Sequence, residues 1–346
     1  MKKLATLGVL CAVAGVANAQ STVTVFGIVD AAVRNVKNGD NSVKSLASGG
    51  FNSSRLGFNG VEELGAGLRA NFWLEHGFNV DTGSVSDAAR FWNRRATVGL
   101  SGGFGEVRLG RDFTPTYTTF SNFDPFGDNG VAAGGKFFNT LGTNVDTNTR
   151  SDNLVSYFLP ADIGGVYGQA SVAAGEGTNG KKYIGARVGY RAGAVNAAVA
   201  YGQTEVSWVT PGVDKYKVLA AGASYDFGVV KLSGYFDQKK YASLNVRTAN
   251  LGVQVPIGPG YLRAGYTRVD ASGNLRGAAS ISPNDASQLA VGYVYNLSKR
   301  TALYGTAARV DNKARATYVT NAVPALPNPN TGRDSTGIEF GIRHSF

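Results

Sequence analysis

Few side chains in this sequence have the types and spacing that catalysis requires. The two histidines, His76 and His344, fall on different segments of alternating polarity. A nucleophile that a histidine activates needs that histidine nearby, together with a group that orients it. The histidines are also too few and too far apart to indicate a metal site. We therefore predict no catalytic residue, no metal and no cofactor, and an enzyme remains only a remote alternative.

Arginine is the remaining residue type whose side chain could form a functional site, because it is charged and can bind anions. Arg55 alternates with Leu56 and Phe58, so it shares a strand face with Ser53, Gly57 and Asn59. A guanidinium group is a permanent cation that binds anionic oxygens in a planar geometry. Alternation therefore places a candidate anion-binding group on a polar face.

Two further arginine pairs are ambiguous under the same rule. If Ala96, Val98 and Leu100 form the apolar face of their strand, alternation selects Arg95 for the polar face and leaves Arg94 unexplained. Arg108 and Arg111 pose the same question in the next segment, where Val107 and Leu109 would point outward.

The elements that must position these arginines are β-strands. Past residue 20 a period of two dominates and the helical period of 3.6 is almost absent. In the last segment, for example, Ile338, Phe340 and Ile342 fall on one face. Sixteen such segments are predicted: 22–34, 53–61, 67–79, 91–101, 105–111, 150–158, 165–174, 183–191, 195–204, 215–226, 230–239, 246–255, 261–270, 287–296, 301–311 and 335–346.

The gaps between these segments alternate between long loops and tight turns. Such alternation is typical of a transmembrane β-barrel, in which long loops lie at the extracellular rim and short turns at the other. Strands of a soluble sandwich are usually shorter, and its loops have no reason to alternate in length. The predicted fold class is all-β, a 16-stranded antiparallel transmembrane β-barrel.

The low content of charged residues and a predicted signal peptide are both consistent with an outer-membrane barrel. Only 17% of the residues are charged, against about 25% in a typical soluble domain, as a lipid-facing wall requires. Residues 1–19 are a predicted signal peptide, with Lys2 and Lys3 before an apolar stretch and a cleavage site between Ala19 and Gln20. Cleavage lowers the formal charge from +10 to +8. Basic residues are dispersed along strands and loops, which disfavours nucleic acid as a partner.

Several segments together resemble the trimeric general diffusion porins of Gram-negative outer membranes, most closely those of β-proteobacteria. The matching pieces are TVFGIVD at 24–30, SRLGFNG at 54–60, NRRATVGL at 93–100, FGEVRLGR at 104–111 and the ending GIRHSF at 341–346. The resemblance implies a single barrel domain over residues 20–346, three barrels in a homotrimer, and a third long loop folded into each lumen. It also implies that Phe340, Ile342 and Phe346 are the signal for the barrel-assembly machinery.

The same resemblance selects the residues of a pore constriction. The constriction loop is the 38-residue gap 112–149, with Asp112, Asp124 and Asp128 as its acids. The candidate residues of the opposing basic wall are Arg55, Arg94, Arg95, Arg111 and Arg150. The resemblance selects Arg94 whereas alternation selects Arg95, so one of these two should line the pore. Arg150 is expected on the polar face together with Asp152 and Ser156.

The predicted function is passive diffusion of small hydrophilic solutes and ions across the outer membrane, with a moderate anion preference. Rings of arginine or lysine in a pore favour anions. The surplus basic residues could instead bind lipopolysaccharide phosphates, because Lys37, Lys44, Lys181, Lys182, Lys215 and Lys313 fall in loops or at rims. A substrate-specific outer-membrane channel is the nearest alternative function, and a barrel hydrolase is a remote one.

Overall fold

A computed structural model describes residues 22–206, 215–274, 280–320 and 331–346. The described residues form one α-helix, α1 (Pro115–Phe123), and seventeen strands. The predicted signal peptide and its cleavage site at Ala19 and Gln20 lie outside these ranges. The strands are β1 (Thr22–Asn38), β2 (Asn41–Ser48), β3 (Arg55–Gly65), β4 (Leu68–Gly77), β5 (Arg95–Gly102), β6 (Gly105–Phe113), β7 (Arg150–Phe158), β8 (Val166–Ala173), β9 (Tyr183–Ala192), β10 (Val195–Glu205), β11 (Lys215–Asp226), β12 (Lys231–Tyr241), β13 (Leu244–Ile257), β14 (Gly260–Ser272), β15 (Ala286–Asn296), β16 (Thr301–Asn312) and β17 (Ser335–Ser345).

The strands close into an antiparallel barrel. Each strand from β3 to β17 pairs with the next, and β1 pairs with β17 from Ile28 opposite Ser345 to Asn38 opposite Ser335. The two halves of β1 have different partners on its other side, since residues 31–38 pair with β2 and residues 22–28 pair with β3. Because β2 and β3 together occupy one position in the wall, the barrel has sixteen positions, which confirms the predicted fold class.

Two details differ from the prediction. Residues 35–52 do not form the expected loop, because β1 continues to Asn38, turns at Gly39, and returns as β2. The strict alternation of long and short gaps is also wrong at one place, because β12 and β13 are joined on the long-loop rim by only Ala242 and Ser243. Both strands extend beyond their predicted ends, and Ala242 accommodates the tight turn with a φ of 52°.

The outer face of the wall is an apolar band. In β5, for instance, Val98 and Leu100 are exposed whereas Thr97 and Gly99 are buried. The same alternation recurs around the barrel, which is how a transmembrane barrel presents apolar side chains to lipid and polar ones to its interior. Among the described residues no helix is long and apolar enough to span a membrane.

The segment between β6 and β7 packs against the inner face of the wall. Its helix α1 contacts β8 to β12, and a 3₁₀ turn at Gly130–Ala132 contacts β16 and β17. Phe120 and Phe123 are almost fully buried between this segment and the wall. On β11, a Cβ atom at Gly222 would collide with the ring of Phe123, so glycine on the inner face lets the helix approach the wall.

Candidate functional site

A cluster of cations surrounds one carboxylate on the part of the wall formed by β3 to β7. Glu75 of β4 accepts from Arg55 Nη1 at 3.2 Å and from Arg94 Nε at 2.5 Å, both on its Oε1. Trp73, two residues earlier on the same strand, donates its indole N–H to Oε2 at 3.0 Å. Glu75 therefore holds two guanidinium groups side by side.

Arg150 adds a third cation. Its Nε donates to the carbonyl oxygen of Arg94 at 2.7 Å, and its guanidinium lies 4.1 Å from the ring centre of Phe113. Phe113 stacks in turn on Tyr117 of α1, with ring centres 4.8 Å apart. We call Arg55, Arg94, Arg150 and Glu75 the arginine cluster; it carries three positive charges and one negative charge.

The backbone that leads into Arg55 is fixed by a buried carboxylate. Asp30 of β1 accepts the N–H groups of residues 50–52 at 2.6 to 3.1 Å and the O–H of Tyr304 at 2.5 Å. The next carbonyl, that of Ser53, accepts from Arg55 Nε at 3.0 Å. These hydrogen bonds fix the orientation of the Arg55 side chain relative to strand β1.

Arg95 belongs to a separate and more neutral group. It shares the inner face of β5 with Thr97, lies 4.6 Å from the ring centre of Trp73, and is 3.5 Å from Asp112. Arg108 binds the same carboxylate at 2.7 Å and also pairs with Glu106. Asp112 is therefore a residue of strand β6 that neutralises wall arginines, and the loop proper comprises residues 114–149.

Strict alternation cannot decide the faces of Arg111 and Arg150. The pairing of β6 with β7 shifts register between Gly110 and Asp112, and Asn153 has a φ of 58°. Such a bulge inserts an extra residue and changes the face on which the next residues of the strand lie. The expected shared face of Arg150 with Asp152 and Ser156 therefore stays a prediction across this irregularity.

Arg111 lies in a different ionic group from the arginine cluster. Its Nη1 binds Asp152 at 2.6 Å, and its Nε donates to the carbonyl oxygen of Asn93 at 2.8 Å. Asp152 also binds Arg90 at 3.0 Å and Lys181 at 3.6 Å. This group ties the loops before β5 and before β9 to strand β7.

The acids of the loop are turned into the loop itself. Asp124 accepts the N–H groups of Phe126 and Asp128, and Asp128 accepts the O–H of Tyr117 at 3.0 Å and the N–H of Gly135. Neither acid forms an ion pair with an arginine among the described residues. The expected opposition of loop carboxylates and wall arginines is therefore wrong for Asp124 and Asp128, because both are consumed in shaping the turn.

Burial raises the pKa values of these two acids. It raises the pKa of Asp124, and it raises the pKa of Asp128 from 3.8 to about 7, with the nearby Asp124 adding to the effect. A raised folded-state pKa contributes stability that is complete below the ordinary value and is lost as pH rises toward 7.

We expect Asp128→Asn to flatten the pH dependence of thermal unfolding between about pH 4 and pH 7. The wild-type midpoint should fall across this interval because the folded loop must accommodate a growing charge. The measurement is the unfolding temperature of detergent-solubilised protein, with Asp162→Asn, an exposed acid in the turn before β8, as the control. An equal slope in wild type and Asp128→Asn would contradict the prediction.

The amino-acid sequence of the chain matches the model of one protein family. A model of that family, described as Gram-negative porin, matches residues 5–315. The chain belongs to the Gram-negative porins. Its strands therefore form an outer-membrane channel.

Similar proteins align with this porin over nearly its whole length. "Outer membrane porin protein 32" of Delftia acidovorans is 38% identical over 363 residues, covering 100% of this chain and 99% of the relative. The solved "anion-selective porin from Comamonas acidovorans" superposes with a TM-score of 0.82 at 35% identity, covering 94% and 100% of the two chains. OmpT of Vibrio cholerae in its trimer form has a TM-score of 0.67 at 15% identity, covering 94% and 99%, and it shows the fold alone.

The two histidines of the porin have local partners. His76 Nδ1 lies 2.5 Å from the carbonyl oxygen of Phe91, and the two rings stack at 4.3 Å. His344 Nδ1 is 2.9 Å from the hydroxyl of Thr301 near the short-turn rim. The two histidines lie on β4 and β17 and are not brought together.

The last strand of the porin closes the barrel. Phe340 and Ile342 are exposed on the outer face, and Phe346 exchanges two backbone hydrogen bonds of 3.1 Å with Gly27 of β1. The terminal residue thus forms part of the seam between the first and last strands.

We expect deletion of Phe346 to reduce the yield of assembled porin at least tenfold, because the seam loses two hydrogen bonds and an apolar ring. The measurement is the amount of folded, heat-modifiable protein in outer membranes. Phe227→Ala, which removes an exposed aromatic ring at the same rim and leaves the seam intact, is the matched control. Normal assembly without Phe346 would contradict the terminal-signal hypothesis.

Sequence reasoning missed Glu75, the centre of the cluster. The signal was present, because Asn71, Trp73 and Glu75 alternate along β4 and should share a face. Tyr117 of α1 was missed as well. Its position between the cluster and Asp128 depends on how α1 packs, which no local pattern encodes.

Proposed function

We propose that the porin conducts small hydrophilic solutes and ions through a constriction between the arginine cluster and the inner loop, with a preference for anions. The observation that carries this proposal is the charge of the cluster: two guanidinium groups bind Glu75, the guanidinium of Arg150 lies beside them without a carboxylate of its own among the described residues, and the nearest loop acids are engaged elsewhere.

Electrostatics favours anions at such a place. Two unit charges about 4 Å apart interact by roughly 4 kcal/mol at an effective dielectric constant of 20 and by about 1 kcal/mol in bulk water. A cluster with an excess of two positive charges therefore attracts chloride and repels potassium, while water in the lumen keeps the attraction weak enough for release. The solved relative from Comamonas acidovorans is an anion-selective porin, and it supports the same sign.

The inner loop would define the opposite side of the passage. Helix α1 contacts β8 to β12, Pro125 lies against β13 and β14, and the turn at Gly130–Ala132 contacts β16 and β17, which would leave the passage beside β3 to β7. The predicted role of residues 112–149 as a constriction loop is kept here, with its wall-bound first residues, Asp112 and Phe113, assigned to β6.

The reversal potential in a KCl gradient across a planar bilayer tests the proposal. We expect the sign of an anion-preferring channel, and a cation sign would overturn it. Conductance that saturates with one added sugar or organic anion would instead support a substrate-specific channel.

We expect Glu75→Gln to raise the anion-to-cation permeability ratio by roughly fivefold, since one negative charge near the path is worth about 1 kcal/mol in a water-like medium. The readout is the same reversal potential. Glu62→Gln, an exposed acid near the short-turn end of β3, removes the same charge and should leave the ratio unchanged. A lower ratio in Glu75→Gln would contradict the assignment.

The remaining assignments follow the porin family. We propose a homotrimer, removal of residues 1–19, assembly through the C-terminal strand, and no enzymatic activity. The exposed Lys182, paired with Glu205 at 3.0 Å, lies with Lys215 at the long-loop rim, where lipopolysaccharide phosphates would be within reach. Trimers that withstand SDS and dissociate into monomers only on heating would support the oligomeric assignment.

A further inference from the structure

A tyrosine on the inner wall lies away from the arginine cluster, near the rim of short turns. Tyr167 of β8 pairs with Gly189 of β9, and a Cβ atom at Gly189 would collide with the tyrosine ring. The ring therefore lies directly over the inner face of β9. Its O–H donates to Asn196 Oδ1 at 2.8 Å, which fixes the ring in place.

Two arginines flank this ring. Arg187 and Arg191 stand two residues before and two residues after Gly189, on the same face of β9. Their guanidinium carbons lie 5.2 Å and 5.8 Å from the ring centre of Tyr167. Cation–π attraction of this kind holds a guanidinium in place without neutralising its charge.

The two arginines have no carboxylate partner within the described ranges. Among the described residues no acid lies within 4 Å of Arg187 or Arg191, in contrast to the cations around Glu75 and Asp152. Nε and Nη1 of Arg187 are shielded and have no hydrogen-bond partner within the described parts of the chain. Unpaired donors of a charged group are costly. Because these two atoms are covered, an anion that pairs with them requires the Arg187 side chain to shift, whereas the neighbouring Arg191 is exposed.

We infer that Arg187, Arg191 and Tyr167 form a second anion site, which binds oxyanions carrying a carboxylate or phosphate group. Guanidinium donors match the planar or tetrahedral oxygens of such groups better than a spherical halide. Arg191 is exposed, and its backbone N–H bonds to Gly165 in the short turn before β8, which places the site at the periplasmic mouth. An oxyanion that has crossed the constriction is held there longer than chloride.

The inference rests on the lumen being the conducting path, but it does not depend on the arginine cluster. A failure of the constriction proposal would change the sign of the reversal potential in KCl. A failure of this second site would leave that sign intact and would remove only the discrimination between oxyanions and chloride.

The test is single-channel recording in KCl with inorganic phosphate, or separately acetate, added to either side. For wild-type protein we expect phosphate in the millimolar range to reduce the open-channel current more strongly from one side than from the other. In Arg187→Gln/Arg191→Gln the phosphate concentration for the same reduction should rise at least tenfold. Block by phosphate alone defines a phosphate site, and block by both anions defines a general oxyanion site.

Matched variants separate the site from general charge effects and from misfolding. Arg300→Gln removes an exposed arginine from a turn of the same rim and should leave the phosphate response unchanged. Tyr167→Phe keeps the ring and should retain the response, whereas Tyr167→Leu should weaken it although both arginines remain. No phosphate effect in wild type, or equal effects in wild type and the double arginine variant, would overturn the inference.

Discussion

The double variant Arg55→Gln/Arg150→Gln should lose most of the anion preference of the porin. The change leaves Arg94 paired with Glu75, so the net charge of the arginine cluster falls from an excess of two to zero. We expect the anion-to-cation permeability ratio to fall about tenfold, which corresponds to about 1.4 kcal/mol. This free-energy difference is a modest share of the Coulomb energy of interaction between two charges and a nearby ion.

Reversal potentials in a KCl gradient measure this effect directly. The control is Arg268→Gln/Arg309→Gln, which removes two exposed arginines that pair with Asp270 and Asp311. Both double variants lose the same formal charge, so a shift confined to the first assigns selectivity to the cluster. An unchanged reversal potential in Arg55→Gln/Arg150→Gln would show that the anion preference arises elsewhere.

Replacing Glu339 by alanine should destabilise the folded porin by about 3–5 kcal/mol. Glu339 of β17 is fully buried, binds Arg34 of β1 at 2.7 Å, and accepts the N–H of Val131 in the inner loop at 3.0 Å. The alanine variant leaves Arg34 buried without its carboxylate and deprives the loop of an anchor. We therefore expect both a lower unfolding temperature and a noisier open-channel current.

A compensated variant distinguishes the buried ion pair from simple loss of packing. Arg34→Met/Glu339→Leu removes both charges and keeps the volume, so it should recover most of the lost stability. The loop anchor stays absent in this variant, and the current should remain noisy. If Glu339→Ala unfolds at the wild-type temperature, the pair contributes little and the prediction is wrong.

The fold could be predicted from the sequence because alternation of polarity is a local property of each strand. All sixteen wall positions were anticipated, and the exposed Val98 and Leu100 confirm the faces predicted for β5. Strand β2 escaped detection because its residues are mostly small or polar, so no apolar face distinguishes it from a loop.

The site was harder to predict than the fold. Alternation fails at Gly110 and Asn153, where the pairing shifts register, and it cannot tell which partner a charged side chain will find. Asp128 was expected to face the arginines but bonds to Tyr117 and Gly135 within its own loop. These choices depend on contacts between residues that the sequence separates.

The inward-turned acids of the loop also determine how the pore treats molecules with no net charge. A passage with opposite charges on facing sides has a transverse electric field, which orients a dipolar solute and slows it unless its dipole is aligned. Here the charge excess lies on the arginine side, while Asp124 and Asp128 are satisfied by hydrogen bonds from their own turn. The transverse field therefore originates on one wall only, and a zwitterion should cross with its anionic group turned toward the arginine cluster.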